Sequence, residues 1–120
     1  MVDPLGLYLR AAALRAFDRA DHNCGLWVAR WVAARTGINP GADWSGEFEI
    51  DLEATAVIVM QNFERTKFPR RGDVGVVLAP RPTAAIFLGH RWAALAPSGL
   101  AIAPWDWRRA WRVEPQAPYA

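Results

Sequence analysis

An α+β fold is predicted from the order of two textures in the sequence. Stretches with apolar residues at helical spacing come first, and short β-like runs broken by Gly and Pro come last. Of 120 residues, 52% are hydrophobic, which supplies one core and leaves no length for a second. The domain is expected over residues 1–113, with residues 114–120 as an extended tail.

The first helix is expected over residues 4–18. Pro4 suits a first helical position and Asp3 can cap it. Leu5, Tyr8, Leu9, Ala12, Ala13 and Ala16 form its apolar stripe. A polar connection follows, and a second helix is expected over residues 24–35. Asn23 is its N-cap and Gly37 its stop, because glycine tolerates the left-handed turn. Residues 38–46 read as a loop. Residues 47–53 alternate strictly, with Glu47, Glu49, Asp51 and Glu53 on one side, and predict a half-exposed strand. Residues 54–65 fit a helix or a strand, with helix preferred because residues 61–65 extend it.

Beyond Gly72 the chain predicts an antiparallel meander. Strands are expected at 74–78, 84–88, 92–95 and 100–103, with a fifth at 107–113. Pro80, Pro82, Pro97 and Gly99 stand in the breaks between them.

Composition excludes several classes. Thirteen of the fourteen basic residues are Arg, but they are scattered and the net charge is +2, so no basic stripe for nucleic acid exists. One cysteine permits no internal disulfide and no cysteine-rich zinc site. No apolar run reaches membrane-spanning length, no secretory signal is visible, and no metal or cofactor is expected. Seven tryptophans exceed what so small a core can bury completely. Trp105, Trp107 and Arg108 are candidates for partner contact, since Trp and Arg anchor interfaces; a hairpin with tryptophans packed on the sheet fits them equally.

Cys24 is the candidate nucleophile. A thiol attacks as thiolate, and the start of a helix stabilises that anion through its unpaired N–H groups and dipole. Gly25 leaves room for a substrate, and backbone N–H groups there would hold an oxyanion. A small buried apolar residue is the plain alternative for a lone cysteine. A nucleophile needs a base. His90, on the sheet half, is the first candidate, and His22, two residues before Cys24, is the second. Both also read as ordinary turn or loop residues. Trp44 fits either a groove wall or the core. Asp73 reads as a turn residue.

The segment Asn23-Cys24-Gly25-Leu26-Trp27-Val28-Ala29-Arg30-Trp31-Val32, followed by Thr36-Gly37, resembles the nucleophile helix of NlpC-type cysteine peptidases. The branch it resembles occurs in tailed phages and gene transfer agents. Arg71-Gly72-Asp73-Val74-Gly75-Val76-Val77 is similar to the family's first core strand. Ala84-Ala85-Ile86-Phe87-Leu88-Gly89 is similar to the next, and Ser98-Gly99-Leu100 and Ala110-Trp111-Arg112-Val113 fit the phage branch. The resemblance implies a papain-like core, a helix bearing Cys packed on an antiparallel sheet bearing His. It departs at two places. Thr83, or Ala84 if the register slips, stands where the family has its His, and Asn23 replaces the usual Asp.

Two functions follow as expectations. The first is a structural component of a phage or phage-like tail tip or baseplate, made in a bacterial host cytoplasm, located in the virion and contacting other tail proteins. The second is a peptidoglycan amide hydrolase in which Cys24 attacks a stem-peptide carbonyl with His90 as base.

Overall fold

The computed structural model describes residues 3–18, 23–41 and 51–115. Their elements run Pro4–Ala13 (α1), Cys24–Thr36 (α2), Leu52–Val59 (α3), Val74–Leu78 (β1), Pro82–Phe87 (β2), Trp92–Ala96 (β3), Gly99–Ala103 (β4) and Trp107–Trp111 (β5).

α1 stops five residues earlier than its pattern suggests. Leu5 and Ala12 are buried, whereas Leu14 is 90% exposed. A short helix needs tertiary burial to persist, and residues 13–16 are all exposed; the chain meets the core again only at Phe17, outside the helix. α2 has the ends its caps predict. The Asn23 side chain accepts the Leu26 N–H at 2.9 Å, and Gly37 takes φ +80° while its N–H reaches the Ala33 carbonyl at 2.8 Å. Trp27, Val28, Ala29, Trp31 and Val32 are all buried, so α2 is the central helix.

The expected strand at 47–53 is corrected at its end; residues 47–50 lie outside the described residues. Asp51 is instead the N-cap of α3, accepting the Ala54 N–H at 3.0 Å. Leu52 and Glu53 form its first turn. An acid at the cap and another behind it favour a helix start, which competes with the two-residue period. The expected extension of the helix to Arg65 is also corrected. Residues 64–66 lie along β5 instead, with Thr66 N–H on the Ala110 carbonyl at 3.0 Å and Arg112 N–H on the Glu64 carbonyl at 2.8 Å.

All sheet pairings are antiparallel, in the order β4-β3-β2-β1-β5. β5 therefore leaves the meander and returns to the far side of β1. Glu53 of α3 holds it there through Arg108 at 2.8 Å and Arg109 at 2.7 Å. Pro82, read as a break, opens β2 opposite Leu78.

The helices cover one face of the sheet. Val74, Val76, Ala84, Ile86, Ala93 and Leu95 meet Trp27, Trp31 and Val32 there. The other face has a floor of small residues. Trp92 lies on it, buried beside Ala85, Ala94 and Ala110, with Phe87 and Trp105 packed around.

The pair of guanidiniums on Glu53 makes stability depend on pH. The Arg109 hydrogen bond leads in holding the Glu53 carboxyl below its ordinary 4.5, against the upward push of burial, and Arg108 adds to it. A depressed carboxyl contributes stability above its unfolded value and loses it as pH falls through the folded value. Urea midpoints measured downward from pH 5 are therefore expected to fall more steeply for the wild type than for Glu53→Gln. Parallel curves would show that these ion pairs do not hold β5.

Candidate functional site

Cys24 is the first residue of α2, half-buried and packed against the main core. Gly25 behind it is buried. α1 docks on the same helix. The Tyr8 ring stacks on Trp27 at 5.5 Å and tilts on Trp31 at 5.4 Å, and the Tyr8 hydroxyl donates to the Trp27 carbonyl. Burial raises the Tyr8 hydroxyl well above its usual range, so the phenol stays protonated and keeps donating.

The register of β2 decides what faces α2. Ala84 and Ile86 belong to the helix-side core. Thr83 pairs with Val77, which belongs to the opposite face, and cross-strand partners share a face. Thr83 thus points away from α2, and its hydroxyl donates to the Arg81 carbonyl at 2.8 Å. The helix-facing residue near the start of β2 is Ala84. Ala84 and Gly25 line the same narrow cavity, about 40 Å³, with Val28, Val76 and Trp111. Its walls are apolar.

His90 is exposed in the turn between β2 and β3, which the Leu88 N–H closes on the Arg91 carbonyl at 2.7 Å. That turn follows Phe87, whose carbonyl accepts the Gly72 N–H at 2.8 Å, and the Gly72 carbonyl accepts the Trp31 indole N–H at 2.8 Å. His90 therefore belongs to the Trp31 end of α2. Cys24 is seven residues, about 10 Å of helix rise, from Trp31. His22 and Trp44 lie outside the described residues.

Trp105 is half-buried against the helix-free face, and Trp107 is 37% exposed with its ring 6.4 Å from that of Trp92. Arg108 is partly exposed and bonded to Glu53. Trp105 and Trp107 thus sit with Trp92 on the helix-free face, whereas the Arg108 side chain turns to Glu53 of α3 on the helix side.

Asp73 does more than its turn reading suggests. It is 1% exposed. It accepts the Arg70 N–H at 2.8 Å, the Val113 N–H at 2.9 Å and the Arg112 Nε at 3.0 Å. Burial pushes its carboxyl up, and the Arg70 and Val113 N–H groups pull it back down. It ties the entry of β1 to the exit of β5. A sequence shows no such link, because the partners lie 40 residues apart in the chain.

Among the described residues, no group of three or more His, Cys, Asp or Glu is placed to hold a metal, and no helix is long and apolar enough to cross a membrane.

No curated protein and no solved structure matches the chain. A family model described as a domain of unknown function, DUF6950, matches residues 3–113. That span runs from the cap of α1 to Val113, the last residue that Asp73 binds. It takes in every helix and strand described above, and the chain belongs to the DUF6950 family.

Proposed function

We propose that this protein is a non-catalytic structural component of a phage or phage-like tail tip or baseplate. In this reading its core is papain-like and NlpC-type, with the nucleophile helix kept and the base lost. The observation that carries it is Ala84. A general base must come within hydrogen-bond reach of the sulfur or act through one water. Ala84 occupies the helix-facing position of β2 beside the first turn of α2, and a methyl group takes no proton. The order of a Cys-bearing helix before an antiparallel sheet supports the core assignment. Trp107 and Trp105, with Arg108 next in the chain, are the contact surface for neighbouring tail proteins.

Two measurements test this. Cys24 alkylation by iodoacetamide is expected to follow one pH profile in the wild type, His22→Ala and His90→Ala. The protein is also expected in purified particles, at the tail end by immunogold labelling. A neutral-pH rate that drops more than ten-fold in either His variant, with cleavage of stem peptides, would restore the hydrolase alternative. Particles without the protein would remove the structural one.

A further inference from the structure

A second cleft, of about 320 Å³, opens at the other end of α2. Four guanidiniums line it, Arg35, Arg70, Arg71 and Arg112, against the carboxylates of Asp3, Asp73 and Glu114. The floor is rigid, because Arg112 is held by buried Asp73 and donates also to the Thr66 hydroxyl at 2.9 Å. The rim is not. Arg71 meets Asp3 at 2.6 Å through one nitrogen, and Arg70 meets Glu114 at 3.2 Å through one nitrogen. All four of these side chains are about half exposed or more. Exposed pairs of this kind contribute about 0–1 kcal/mol, so an incoming anion can displace them.

Arg35 is the group in excess. Its guanidinium lies over the Trp31 ring at 5.5 Å, and among the described residues it has no carboxylate partner. An arginine offers five N–H donors in a planar fork that fits carboxylate and phosphate oxygens. Arg70 and Arg71 spend few of theirs on the rim pairs. Trp31, beneath Arg35, is itself pinned to the Gly72 carbonyl, so the fork stands on a fixed base.

We propose that this cleft is a binding site for an oxyanion group of a ligand, a carboxylate or a phosphate, gripped by Arg35, Arg70 and Arg71. Asp3 and Glu114 occupy the rim donors until the ligand arrives. The proposal does not depend on the role of Cys24, which lies at the opposite end of the helix.

The test is an NMR titration of the full chain with inorganic phosphate and, separately, with acetate, each against sodium chloride at matched ionic strength. The Trp31 indole N–H and the Arg35 Nε–H are expected to shift and saturate with at least one of the two. Phosphate alone would identify a phosphate-bearing ligand, acetate alone a carboxylate-bearing one. Arg35→Gln is expected to raise Kd at least ten-fold, with the Trp31 indole signal retained as proof of folding. Asp3→Asn, at a position whose side chain makes no capping hydrogen bond to α1, is expected to lower Kd several-fold by removing a competitor. Arg81→Gln, exposed and outside the cleft, is expected to leave Kd unchanged. Shifts that chloride reproduces, no saturation with either anion, or a Kd indifferent to Arg35→Gln would each overturn the proposal.

Discussion

Asp73→Ala is expected to destabilise the fold by about 3–5 kcal/mol, the range for removing one member of a buried ion pair. Three donors converge on this carboxylate, and all three lose their acceptor together. The Arg70 and Val113 N–H groups are left without a partner, and a buried unmade hydrogen bond costs about 1–3 kcal/mol. Arg112, with 17% of its side chain exposed, keeps only the more distant and exposed Glu114 carboxylate at 4.0 Å. The loss also releases two parts of the chain from each other, since Asp73 joins the turn before β1 to the segment after β5. Arg112→Met is expected to cost less, because the two backbone bonds to Asp73 survive it. Urea unfolding of both variants checks this. A loss below about 1 kcal/mol for Asp73→Ala would mean that water replaces the carboxylate and that the link is not structural.

Gly75→Ala is the second large effect, expected at about 3 kcal/mol, the upper part of the usual range for overpacking. A Cβ on Gly75 would stand 2.5 Å from the Arg109 carbonyl oxygen and 2.9 Å from the Trp92 ring. The ring can tilt, but the carbonyl belongs to β5 and moves only if the β1–β5 ladder opens. That ladder already carries a register shift between Val76 and Val77. Adding Trp92→Phe to Gly75→Ala is therefore expected not to restore stability, because it relieves the ring contact and leaves the backbone one. Full recovery in the double variant would assign the constraint to the indole. A cost under about 1 kcal/mol for the single variant would show that β5 shifts freely.

Local chemistry carried much of the fold into view. Asn23 and Gly37 bound α2 because capping involves neighbours three or four residues apart. The strands from Val74 to Ala103 showed as short apolar runs between Pro and Gly breaks. The early end of α1 did not show, because Ala13 and Ala16 continue the stripe in sequence and find no surface to cover in space. α3 began where the acidic alternation was read as a strand, since Asp51 serves a cap as readily as an edge.

The site shows the same division more sharply. That Cys24 opens a helix could be read from its flanking residues. Whether Thr83 or Ala84 faces that helix could not, because a one-residue slip in a strand turns every side chain to the other face. The β1–β2 pairing settles the matter, with Thr83 opposite Val77 on the helix-free side. Likewise β5 beside β1, Asp73 on Val113 and four arginines around one cleft join residues far apart in the chain. Contacts of that kind depend on how the layers pack, and composition and periodicity describe only what each segment does with its neighbours.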